Sequence, residues 1–124
     1  MTDAERQALF VVIRRSWSAD TSAYPAWTSG NPASGQCAVT ALVVQDHLGG
    51  LLLRAEVGSV SHYWNLVGAE EVDLTREQFP EFKPTGTMAR SRHYVLSFTG
   101  TAHRYEKLKM RVEAAITGFE PVAP

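Results

Sequence analysis

This 124-residue chain has one cysteine, Cys37, which excludes an intrachain disulfide framework. Its hydrophobic runs are short. Ala8-Leu9-Phe10-Val11-Val12-Ile13 falls well below the roughly 18 apolar residues of a membrane-crossing helix. Arg14 and Arg15 follow that run instead of preceding it, so it does not read as a secretory signal either. Charge of one sign is also lacking: twelve basic and thirteen acidic residues leave a net charge of -1, with no field to attract nucleic acid or an anionic membrane. The basic clusters Arg90/Arg92 and Lys107/Lys109/Arg111 read as solvated faces. Repeats and low-complexity tracts are absent. Four scattered histidines with one cysteine show no metal-ligand spacing, so neither a metal nor a cofactor is expected.

What remains is an ordinary globular balance, 44% hydrophobic and 20% charged. A chain of this length builds one core, so residues 1–124 are expected to form a single cytoplasmic domain. Thr2 and Glu5 form a capping-box pattern that opens a helix, with Leu9, Phe10, Ile13 and Trp17 along its inner face and its end near Ser18. Residues 19–35 are irregular, a loop length that is often functional, and Tyr24 and Trp27 equally read as aromatics that pin it onto the core. Gln36 to Leu48 reads as a helix apolar nearly all round, ended by Gly49-Gly50.

The period then changes to two. Strands are expected over 51–57, with Leu51, Leu53, Ala55 and Val57 alternating against their neighbours, over 60–67 and over 71–74. A polar, proline-bearing segment runs from Phe79 to Thr87. A fourth strand is expected over Arg92–Phe98. A closing helix follows over Thr101–Thr117, with Tyr105, Leu108, Val112 and Ile116 inward. Helices flanking an antiparallel meander define an α+β fold.

Within that frame Cys37 stands at a helix start. Such a position favours the thiolate, and its free backbone N–H groups can stabilise an oxyanion. Gly35 beside it permits close approach of a substrate. The bland reading of a lone cysteine is a small buried hydrophobe. His62 shares a strand face with Trp64 and Leu66, opposite to Ser61, Tyr63 and Asn65. If Val67-Gly68 forms a two-residue turn, Leu66 pairs with Ala69 and His62 lies directly opposite Asp73, within reach of a carboxylate–imidazole hydrogen bond. A thiol, a base and an acid that orients it are the parts of a nucleophile–base–orienter site. His93 is the runner-up base, while His47 and His103 read as helix-end and exposed residues. Gln36 and Asn31 are the candidate oxyanion or substrate-binding amides. Gln36 is also a possible helix cap, and Asn31-Pro32 an ordinary turn starter. Trp27 and Trp64 are the aromatic candidates for the substrate site. Arg54, Arg90 and Arg92 are cations that a substrate carboxylate would seek.

The blocks Asn31–Asp46, which opens Asn31-Pro32-Ala33-Ser34-Gly35-Gln36-Cys37, Ser61–Asn65, Val72–Phe79, Arg92–Leu96 and Arg104–Leu108 are long and specific, and together they resemble the small bacterial YunG-type proteins. The order Cys, His, Asp on a helix followed by antiparallel strands also resembles the wider papain-like group, notably the transglutaminase and NlpC/P60 cores. That likeness implies Cys37 as nucleophile, His62 as base and Asp73 as orienter. It also draws notice to Asn31, at the offset where papain-like enzymes carry a glutamine for the oxyanion. The expected activity is cysteine-dependent acyl transfer, as a hydrolase of an amide or thioester bond in a small molecule or peptide. The alternatives are transglutaminase-like transfer to an amine, or a binding module with a relict site. Oligomeric state is not legible in the sequence.

Overall fold

Thr2 and Glu5 cap the first helix reciprocally, backbone to side chain in both directions, and fix its start in a computed structural model that describes residues 1–118. Helix α1 (Asp3–Ser16) buries Leu9, Phe10 and Ile13. Trp17 caps its end and donates from its indole to Thr40 Oγ1 at 2.9 Å.

The stretch from Ser18 to Gln36 is a stapled loop. Ser22 Oγ donates to the Ser34 carbonyl, Ala23 N to that of Gly35, and Trp27 Nε1 to that of Pro32. Gly35 has φ +71°, and a Cβ there would collide with Ser22 Oγ and lie 2.9 Å from Ala23 N, so the loop closes only around glycine.

Helix α2 (Cys37–Leu48) follows, and every residue from Val39 to Val44 is buried. Its valines are weak helix formers, so packing on both sides holds it. Strands β1 (Leu51–Val57), β2 (Val60–Val67), β3 (Glu70–Val72) and β4 (Pro84–Arg90) form one antiparallel sheet in the order β3-β2-β1-β4. Two short helices, α3 (Arg92–Leu96) and the 3-10 turn Arg76–Gln78, and the long α4 (Thr99–Thr117) complete an α+β arrangement of four α-helices and four strands.

The sheet is covered on both faces. Leu52, Tyr63, Asn65 and Val72 face α2, where Asn65 Nδ2 donates to the Ala41 carbonyl at 2.9 Å. His62 and Trp64 face the other way, under Phe79 and Phe82. A sheet buried on both sides weakens simple alternation. Leu52 is therefore buried beside Ala55 and Val57, while Leu51 is half exposed.

The expected fourth strand over Arg92–Phe98 is corrected. Ser91 accepts from Tyr94 N and caps a helix there. The fourth strand lies in the proline-bearing segment instead, where Pro84 opens an edge strand on which a missing N–H costs little. The third strand covers Glu70–Val72 and stops short of the expected Leu74. Helix α4 begins two residues before the expected Thr101. It buries Tyr105, Leu108 and Val112, but Ile116 is exposed. No helix among the described residues is long and apolar enough to cross a membrane.

Candidate functional site

The β2–β3 hairpin sets the geometry. Its turn is Gly68-Ala69, with Val67 paired to Glu70 and Leu66 to Glu71, in place of the expected Val67-Gly68 turn. Gly68 has φ +62°, as does Gly58 at the head of the β1–β2 turn. A tight hairpin needs that conformation at its first central residue, where a β-branched valine would be strained. Moving the turn by one residue shifts the register by two, which preserves the face of every side chain. Asp73 therefore lies beyond the paired part of β3, on the same face as His62, and not directly opposite it.

The two side chains meet. His62 Nε2 is 2.7 Å from Asp73 Oδ2, with the imidazole fully buried and the carboxylate 4% exposed. Asp73 is held by its own neighbours. Thr75 N and Oγ1 donate to Oδ1 at 3.2 and 3.4 Å, and Arg76 Nε donates to Oδ2 at 3.2 Å. This is an Asx-type turn reinforced by a cation. Arg76 also lies over the Phe82 ring at 3.9 Å.

Aromatic rings hold the imidazole on its other sides. Trp64 stacks on it at 5.4 Å, and Phe79 and Phe82 meet it edge-on at 4.8 and 5.7 Å. Trp64 is itself buried, with Nε1 bonded to Glu71 Oε1 at 2.8 Å, so it supports His62 from within and offers no open surface.

Cys37 opens α2 at the start of β2 and is partly exposed, its Sγ 3.7 Å from the Ser61 carbonyl. His62 Nδ1 is buried without a hydrogen-bond partner of ordinary geometry. Nε2 is occupied by Asp73, and Cys37 is near enough to the ring to favour its charged form. Burial opposes a charge on His62, but Asp73 and Cys37 outweigh it and raise the imidazole from 6.5 to about 9. Two phenols also sense the thiol. Burial and then the neighbouring Cys37 push Tyr24 up. Burial first, with smaller contributions from Tyr94 and Cys37, does the same to Tyr63. No side chain caps α2, so the backbone N–H groups of its first turn remain available beside the sulfur.

The remaining expected residues are placed differently. Gln36 is fully buried, and its Nε2 donates to the Ser18 carbonyl at 3.0 Å; it ties the loop to the helix start and neither caps α2 nor reaches the surface. Asn31 is exposed in the turn that Ser34 N closes onto its carbonyl. Trp27 is pinned by its bond to Pro32 within the same loop. Arg92 is bound into the helical layer by Asp46, Gln45 and Tyr105. His93 is exposed on α3. Thr75, Arg76, Phe79 and Phe82 escaped the sequence reading. The Asp-x-Thr-Arg spacing was the available signal for the first two, whereas the return of Phe79 and Phe82 over the sheet is a tertiary event. Among the described residues no cluster of three or more His, Cys, Asp or Glu could hold a metal ion.

The described residues thus define an α+β protein in which a buried imidazole is bonded to a buried carboxylate, with a helix-borne thiol at the neighbouring Ser61 carbonyl. The chain belongs to the YunG family, whose model, described as YunG protein, matches residues 5–117. It is 41% identical over 68 residues to the protein called "Uncharacterized protein YunG" of Bacillus subtilis (strain 168). That match covers 55% of this chain and 57% of the relative, so the chain spans little more than half the relative's length. No solved structure matches it.

Proposed function

We propose that this protein is a cysteine-dependent acyl-transfer enzyme, a hydrolase of an amide or thioester bond, built on a papain-like arrangement of Cys37, His62 and Asp73. One observation carries the reading: His62 is bonded through Nε2 to Asp73 at 2.7 Å, while its buried Nδ1 has no hydrogen-bond partner and Cys37 is near enough to favour the charged ring. In such a site the thiol proton passes to His62, and the thiolate attacks the carbonyl carbon. The oxyanion is stabilised by N–H groups of the first turn of α2. Collapse of the tetrahedral adduct breaks the bond to the leaving group, which takes the proton from His62 and departs, leaving a thioester on Cys37. Water then attacks, its proton passing to His62, and the thiolate leaves to release a carboxylic acid. An acceptor amine in place of water would give transfer, and nothing in the geometry favours it over water. Asp73 keeps the imidazole in orientation and stabilises its charged form.

The test is alkylation of Cys37 by iodoacetamide across pH 5–9 in the wild type and in Cys37→Ala, His62→Ala and Asp73→Asn. Labelling confined to Cys37, extending into acid in the wild type and slowed at neutral pH by His62→Ala, supports the reading. A rate that rises with pH like that of free cysteine and ignores His62→Ala overturns it.

A further inference from the structure

Adjoining the thiol is a cavity of about 200 Å³ lined by Ala38, Ser61, Tyr63, Val95, Phe98 and Thr101. At roughly 30 Å³ per water in the liquid, it has room for a short acyl chain or one amino-acid side chain. It begins at the residue after Cys37 and runs past Ser61, whose carbonyl meets the sulfur. The cavity thus starts one residue from Cys37, on the face of β2 that carries Ser61 and Tyr63.

Ser61, on the polar side of the cavity, is bonded by an arginine from just outside the lining. Arg54 pairs with Tyr63 across β1 and β2, and its Nε donates to Ser61 Oγ at 2.8 Å. Tyr63 lines the cavity beside the same serine. With Nε engaged, the two terminal nitrogens of Arg54 are left as a fork, the geometry that takes a carboxylate bidentately. No ion pair involves Arg54 among the described residues, although the chain pairs Arg6, Arg76, Arg92 and Arg111 with carboxylates elsewhere. The other two cations considered for this role have different neighbours. Arg92 is committed to Asp46, and Arg90 lies over Tyr94 at 4.5 Å. Ala38, Val95 and Phe98 supply the apolar part of the lining.

We propose that this cavity binds a small carboxylate-bearing group, with Arg54 as the residue that selects it, so that the substrate class is an amide or thioester carrying a carboxylate close to the scissile carbonyl. The chemistry of that bond rests on the function proposed above, whereas the anion site does not.

The experiment compares two alkylating agents of similar size, anionic iodoacetate and neutral iodoacetamide, at Cys37 of the full chain. The iodoacetate-to-iodoacetamide rate ratio is expected to exceed that of free cysteine in the same buffer. It should fall on the order of tenfold in Arg54→Gln, the loss of about 1.4 kcal/mol of recognition, and survive in part in Arg54→Lys. A wild-type ratio equal to that of free cysteine, or one that Arg54→Gln leaves unchanged, overturns the site. If Arg54→Gln fails to fold, protection of the wild type by succinate decides: protection against iodoacetate supports the site, and its absence removes it. The two proposals fail separately. An ordinary thiol pH profile with the carboxylate preference intact overturns the acyl-transfer reading alone, and a perturbed profile without the preference overturns the cavity alone.

Discussion

Asp73 stands one residue past the last paired position of β3, yet its Oδ2 lies 2.7 Å from Nε2 of His62. The short strand delivers the acid, and the turn through Thr75 and Arg76 aims it. A carboxylate accepting four hydrogen bonds is acceptor-saturated, and only one of those donors is the imidazole. The other three hold Asp73 whether or not His62 is charged.

Asp73→Asn keeps the shape but replaces one acceptor oxygen with a donor that faces Arg76 or His62. Loss of the acid that orients a catalytic imidazole is expected to lower turnover by about 10²- to 10⁴-fold once a substrate is in hand, and to slow Cys37 alkylation at neutral pH. A buried pair broken on one side also costs about 3–5 kcal/mol, so the melting temperature should fall as well. Alkylation rates normalised to folded protein separate the two effects. A variant that matches the wild type in both would rule out a role for the carboxylate.

Stability should depend on pH through His62. Its imidazole is raised from 6.5 to about 9, mainly because Asp73 and Cys37 overcome the effect of burial. The charged form is thus favoured in the folded state. Its contribution is complete below about pH 6.5 and is lost as pH climbs through about 9, amounting to about 3 kcal/mol at most. Calorimetry from pH 6 to 10 should show a declining melting temperature, with a shallower decline in His62→Gln. Parallel profiles for the two proteins would contradict this.

Much of the site was legible because it depends on parity. Glycine at the head of the turn moved the β2–β3 register by two residues, and a shift of two keeps His62 and Asp73 on one face. A shift of one would have separated them. The fourth strand was misread for the converse reason. In Arg92–Leu96 the capping hydroxyl of Ser91 outweighs β-like composition, while Pro84–Arg90 carries little apolar pattern because it is an exposed edge. Nor does local sequence register that Phe79 and Phe82 fold back over His62, since that contact depends on where the chain goes after Asp73.

Arg92 illustrates a cation that composition alone assigns to the wrong task. Its guanidinium is 2.7 Å from Asp46 Oδ1 and 2.6 Å from the Tyr105 hydroxyl, and it also reaches Gln45 Oε1 at 3.1 Å. The network joins α2, α3 and α4. Arg92→Ala leaves Asp46 and Tyr105 partly buried without their cation and should cost about 1–3 kcal/mol. Urea unfolding measures this. A loss below a few tenths of a kcal/mol would mean that the network adds nothing to packing.

Gly35 tests whether the loop before α2 positions the thiol. Its φ of +71° disfavours any side chain, and a Cβ would strike Ser22 Oγ and crowd Ala23 N at 2.9 Å. Gly35→Ala cannot be relieved by a side-chain rotation, because one of the atoms in the way is backbone. The change is expected to cost at least 1–2 kcal/mol and to pull Ser34 and Gly35 away from Ser22 and Ala23. Because Gln36 ties this loop to Ser18 immediately before Cys37, the helix start should move with it. Cys37 alkylation should therefore change more in Gly35→Ala than in Gly49→Ala. Gly49 has a similar φ of +69° at the far end of α2, but a Cβ there meets nothing within 4 Å. Equal effects of the two substitutions on thiol reactivity would show that backbone strain alone, and not the position of the loop, accounts for the change.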